Sequence, residues 1–170
     1  MIDILREDYK VNGLRLEKLW IVTIYRIGNK VYYSTFPKVL KKSILIILNI
    51  IRKVFVVLLF KVEMPFSCKV GKGFKLMHPN GIILHKNVII GEYCTLYHQV
   101  TIGSNDKGDV NKVANIGNNV YIGSGAKLIG NIMIGDNSKI GANAVVINNV
   151  PKNSVAVGVP AKSKKQKRVI

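Results

Sequence analysis

The chain has 170 residues, long enough for one compact domain with an extension and too short for several. Its 26 Lys and Arg against 9 Asp and Glu give a formal charge of +17, which favours an anionic partner without choosing among CoA phosphates, an acidic glycan, nucleic acid or anionic lipid. Two cysteines, Cys68 and Cys94, without metal-type spacing, exclude a disulfide framework and a cysteine zinc site.

The opening M-I-D-I-L-R-E-D carries acids where a secretory signal carries bases, so a cytoplasmic protein is expected. Residues 2–10 and about 14–30 read as helices, the second with Leu14, Leu16, Leu19, Trp20, Val22, Ile24 and Ile27 among charged residues. Pro37 ends the break Y32-Y-S-T-F-P37 and is suited to opening the next helix. Residues 38–61 approach the apolar density of a membrane span, yet Asn49, Arg52 and Lys53 sit in the middle. A basic residue at a bilayer centre costs about 2.5–3.5 kcal/mol, so a clean span is not expected. Two readings stay open. The stretch packs against the following domain and neighbouring subunits, or it lies at a membrane surface with Lys38, Lys41, Lys42, Arg52, Lys53 and Lys61 towards anionic headgroups. The wide apolar circumference favours the second, a peripheral contact with the inner face of the cell membrane.

From Glu63 the pattern changes, and from Val88 to Val146 it repeats in sixes: V88-I-I-G-E-Y, C94-T-L-Y-H-Q, V100-T-I-G, then A114-N-I-G-N-N, V120-Y-I-G-S-G, A126-K-L-I-G-N, I132-M-I-G-D-N, S138-K-I-G-A-N and A144-V-V. Each unit holds a small or branched residue, a spacer, a larger aliphatic and usually Gly. Apolar positions two apart face one side of an extended strand, and a hexapeptide period marks a β-solenoid whose coils bury one another. The glycines are expected to make the corners through backbone angles that other residues avoid. Residues 1–62 are thus a helical, basic and apolar region, 63–161 the solenoid with a polar loop at 104–113, and 162–170 a basic tail expected to be disordered.

The repeat, with E63-M-P65, K69-V-G-K-G73, L76-M-H78-P-N-G81, V100-T-I-G103, G123-S-G-A-K-L-I-G130 and V157-G-V-P-A-K162, resembles the hexapeptide acyltransferases, and more closely the serine acetyltransferases and their shorter polysaccharide-modifying relatives. The resemblance covers roughly residues 62 to 162 and implies a left-handed parallel β-helix, an exception to the usual crossover hand. It also implies a homotrimer with active sites between subunits and acetyl-CoA as cosubstrate.

By the same resemblance His78 is the general base that takes the proton of an acceptor hydroxyl, a task suited to imidazole near neutral pH. Glu63, fifteen residues earlier, stands where the family pairs an Asp with that His, orienting the ring. Gly103, Ser104, Ser124 and Ala142 match positions that line the pantetheine arm, and Lys162 with nearby lysines would meet the phosphates. His85 and His98 fall at hexad corners and are expected to face solvent. The successive gaps, 7 from His78 to His85 and 13 from His85 to His98, match neither the coil nor the zinc pattern of γ-class carbonic anhydrases, so no metal is expected.

Two departures bear on the acceptor. Met77 replaces the Asp before the catalytic His, and Lys112-Val113 replaces an Arg-His pair that helps hold serine. A free amino acid needs paired charges, and Met and Val supply none. The large amino-terminal helical domain of serine acetyltransferases is also not apparent. A saccharide hydroxyl in capsule, exopolysaccharide or lipopolysaccharide assembly is therefore the expected acceptor, with L-serine as the alternative and a non-catalytic scaffold as the third reading. Nucleic acid is not expected, because no aromatics are interleaved with the basic tail.

Overall fold

A computed structural model describes residues 1–105 and 109–166. Three helices, α1 (Ile2–Asn12), α2 (Leu16–Tyr32) and α3 (Lys38–Arg52), come first, and α3 continues as a π-helical segment over Lys53–Leu58. Short strands then wind through three sheets. The first holds β1 (Lys69–Val70), β4 (Ile89–Ile90), β7 (Asn115–Ile116) and β10 (Met133–Ile134). The second holds β2 (Lys75–Met77), β5 (Thr95–Tyr97), β8 (Tyr121–Ile122), β11 (Lys139–Ile140), β13 (Ser154–Gly158) and β14 (Ala161–Lys165). The third holds β3 (Ile83–Leu84), β6 (Thr101–Gly103), β9 (Lys127–Ile129) and β12 (Val145–Val146). All neighbours are parallel except β13 with β14, which makes a three-sided left-handed β-helix.

The hexad rule explains the core. Ile90, Leu96, Ile102, Ile116, Ile122, Leu128, Ile134, Ile140 and Val146 all point inward and are buried. The small positions Val88, Cys94, Val100, Ala114, Val120, Ala126 and Ala144 are buried beside them. Coil length is uneven. Leu76 pairs with Leu96, Leu96 with Ile122 and Ile122 with Ile140, at steps of 20, 26 and 18 residues. The loop after β6 accounts for the eight extra residues of the second step. The two extra residues of the first lie in the corner between Leu76 and Leu84, which holds His78.

The corners differ from the sequence expectation. Positive φ is carried largely by Asn119, Asn137, Asn143 and Asn153, whose short polar side chains tolerate it. Gly73, Gly81, Gly125 and Gly130 also take positive φ, as expected, whereas the glycine that directly follows the larger aliphatic, as at Gly91, serves for close approach between coils. A Cβ at Gly91 would lie 2.6 Å from the Gly117 carbonyl carbon of the next coil.

The first coil presents an open edge, and the helices close it. Asn12 donates to the Phe74 carbonyl and accepts from the Leu76 N–H, while Asp8 accepts from the Phe74 N–H. Tyr25 and Asn29 donate to the Cys68 carbonyl, and Arg26 donates to those of Val70 and Gly71. Asp8 and Arg26, both buried, pair at 2.8 Å. Gly28 lets the Phe66 ring lie against α2, where a Cβ would fall 2.2 Å from it.

At the other end, Lys162–Lys165 are not a disordered tail but part of β14, in antiparallel register with β13. Residues 167–170, which complete the expected tail, lie outside the described residues. Helix α3 buries none of its residues fully. Leu45, Leu48 and Ile51 pack on the core, while Val39, Leu40, Ile46, Ile47, Ile50, Val54, Phe55, Leu58 and Leu59 are exposed. Among the described residues no helix is long and apolar enough to cross a membrane.

Candidate active site

His78 stands at the corner between β2 and β3, exposed, with φ of +54°. This corner is two residues longer than a plain hexad corner. His98 occupies the same corner one coil on, its ring centroid 6.4 Å from that of His78 and the rings nearly perpendicular. It is half-buried, and its Nδ1 is buried without a hydrogen-bond partner. The sequence reading placed His98 in solvent. The signal it missed is the 20-residue step of the first coil, which sets residue 98 under residue 78. His85 is partly buried, and its Nδ1 accepts from the Asn87 N–H.

Glu63 runs beside Ile83 in a parallel bridge, its N–H donating to the Ile82 carbonyl and its carbonyl accepting from the Leu84 N–H. Its carboxylate is exposed and makes no hydrogen bond to His78, so the expected pair is not closed in this structure. Glu63 also acts on Arg52. Burial lowers the Arg52 pKa, and the Glu63 carboxylate opposes that shift. Both thiols are buried and raised, Cys68 to about 12 and Cys94 to about 11, mainly by desolvation, so neither is an activated nucleophile.

Ser124 and Ala142 lie on the same edge of the prism as His78 and His98, at successive corners between the second and third sheets. The Gly125 N–H donates to the His98 carbonyl, and the Asn143 N–H to that of Ser124. Gly103 and Ser104 fall at the other edge of the third sheet, where β6 turns away. Lys112 is exposed on that loop, whose residues 106–108 lie outside the described residues. One chain therefore does not bring Lys112, Gly103 or Ser104 to His78. Lys162, Lys164 and Lys165 are exposed on β14. These small corners and basic strand have the chemistry that a pantetheine arm and phosphates require. Among the described residues no group of three His, Cys, Asp or Glu side chains is placed to hold a metal.

Met77 lies in β2 beside Tyr97 of the next coil. Against it stands a residue the sequence reading passed over. Lys18, in the first turn of α2, is only 6% exposed, and its Nζ lies 4.0 Å from the Met77 Sδ.

Residues 114–148 match the family model described as bacterial transferase hexapeptide (six repeats). The chain is 38% identical over 105 residues to a serine acetyltransferase of Synechococcus elongatus, covering 62% of this chain and 43% of that protein. It is 38% identical over 102 residues to one of Helicobacter pylori strain J99, covering 60% of each. The chain thus spans about half the length of the curated relatives it matches. The crystal structure of serine acetyltransferase in complex with coenzyme A from Brucella abortus superposes with a TM-score of 0.83 at 25% identity, over 98% of this chain and 68% of that one. That superposition takes in the helices as well as the β-helix, so the likeness extends beyond the 62–162 expected. The saccharide acceptor inferred from Met77 and Val113 is corrected by these relatives, each named for serine.

Proposed function

We propose that the chain is a hexapeptide-repeat acyltransferase of the serine acetyltransferase family and that it transfers an acetyl group from acetyl-CoA to the hydroxyl of L-serine. The observation that carries this reading is the two-residue expansion of the corner that presents His78, exposed and beside His98, in a chain that superposes on serine acetyltransferases. Bound acetyl-CoA supplies a thioester, whose carbonyl carbon is open to attack by an oxygen nucleophile. His78 takes the proton as the serine Oγ bonds to that carbon and the carbon–sulfur bond breaks, and the proton then passes to the departing sulfur. Glu63, apart from His78 in this structure, is proposed to close on the imidazolium and stabilise it when the acceptor is bound. His98, packed edge-on to His78, restricts the ring's swing. Ser124, Ala142, Gly103 and Ser104 line the arm, and Lys162 meets the phosphates.

The split of these small residues between two edges of one prism supports a site shared between subunits of a homotrimer, where one chain's His78 edge meets its neighbour's Gly103 edge. Peripheral contact with anionic lipid is part of the same proposal. It is supported by the exposed apolar face of α3 and by a hollow of about 500 Å3 that lines Lys38, Lys41 and Lys42 with Leu45 and Ile46.

The test is thiol release from acetyl-CoA with and without L-serine. Serine-dependent release is expected, falling on the order of a hundredfold or more in His78→Ala and less in Glu63→Gln. Absence of serine-dependent release in the wild type, or near-wild-type turnover in His78→Ala, overturns the assignment.

A further inference from the structure

We propose that Lys18 is the carboxylate-binding residue of the acceptor site, a role that rests on the reading of L-serine as acceptor. Three observations converge on it. The Lys18 residue is 6% exposed, and the one hydrogen-bond partner of its Nζ among the described residues is the Met77 thioether, 4.0 Å away. Among the described residues no carboxylate lies within salt-bridge distance of it. A lysine that only covered apolar surface would keep its head in water. A buried cation without a counterion is held at a cost that a bound anion removes.

The surroundings are themselves positive. Lys18 lies in the first turn of α2, a 17-residue helix whose N-terminus has no side-chain cap, so the helix dipole adds to its charge. Arg15 and Lys75 bear on it with the same sign, and only Glu17 opposes them. Burial lowers the Lys18 pKa first, and Arg15 then lowers it further.

Position selects the ligand. Met77, which Lys18 touches, immediately precedes His78. The ammonium thus lies against the residue next to the proposed base, and in L-serine hydroxyl and carboxylate are joined through three carbons in one small molecule. The charge that Met77 cannot supply comes from another element. Lys18 is not a catalytic residue, since it sets where the acceptor sits and moves no proton.

The experiment compares L-serine with L-serinamide, which lacks the negative charge, on wild type, Lys18→Met and Lys18→Arg. A charge-assisted hydrogen bond predicts a rise in KM for L-serine of roughly 10- to 100-fold in Lys18→Met, with kcat and the KM for acetyl-CoA little changed. L-serinamide kinetics should be the same in wild type and Lys18→Met, and Lys18→Arg should recover part of the serine KM. An equal loss on both acceptors, or none on either, overturns the proposal. A binding arm separates this from failure of the serine reading. The side-chain amine resonance of Lys18, assigned by its absence in Lys18→Met, is followed by NMR as acetate is added at constant ionic strength. If the wild type does not acetylate L-serine but acetate shifts this resonance, the serine reading falls and the carboxylate site stands. If neither acetate nor L-serine shifts it, the carboxylate site is overturned.

Discussion

Burial of the Lys18 ammonium beside a thioether disfavours its charged form, so this residue weakens the fold in the state that would best hold an anion. The linkage has a definite sign. A lysine whose folded pKa lies below its ordinary 10.5 binds fewer protons folded than unfolded in that window, so stability rises as pH climbs through it. Below the window the full penalty applies. Lys18→Met is therefore expected to raise the melting temperature near neutral pH, with the gain fading as pH climbs towards 10.5. Thermal scans at pH 7 and pH 10.5 check this, and a fall in melting temperature at pH 7 would contradict the account. A variant more stable yet poorer in serine KM is what a strained binding residue predicts. Lys18 was not legible in the sequence, because 59 residues separate it from Met77 and the docking of α2 on the first coil follows no repeat. His78 was legible only through its motif, and His98 not at all, since a strict six-residue period puts it on an ordinary corner.

The elements were legible in proportion to their regularity. Every inward position of the hexads from Val88 to Val146 lies in the core, because period two on a strand and period six along the chain leave those side chains no other place. The glycines were assigned only in part: Gly125 and Gly130 take the rare φ expected, but sequence cannot tell them from Gly91, needed because a neighbouring backbone is close. The seam between helices and solenoid was invisible, because Asp8, Asn12, Arg26 and Asn29 look like ordinary polar residues of amphipathic helices until the first coil is set against them. That seam carries stability. In Asp8→Asn the Arg26 guanidinium keeps its bonds to Val70 and Gly71 but loses its only carboxylate among the described residues. Removing one partner of a buried ion pair costs about 3–5 kcal/mol. Urea unfolding should show a loss of that order, and a loss below about 1 kcal/mol would mean water reaches the pair.

At the scale of the whole molecule, two surfaces of a single chain carry the contacts proposed above. The divided edges of the prism call for neighbours, and light scattering should give a trimer. A monomer with full turnover would remove the shared site. The α3 face calls for something else, since residues 38–62 contain six cations and no acid, and two copies would repel each other there. Sedimentation with vesicles containing phosphatidylserine should carry the protein down at low salt and release it at high salt, while neutral vesicles leave it in solution. Ile47→Glu with Ile50→Glu should abolish the binding without altering acetyl transfer. The two ends of the prism matter in another way. A stack of parallel coils is by nature a seed, because its last coil offers the same unpaired amides that the next copy would use, repeat after repeat, towards a fibre. Here one mouth is plugged by the side chains of α1 and α2 and the other is folded over by a hairpin whose outer strand bristles with lysines. The same contacts that finish the fold thus keep the protein from polymerising along its own axis.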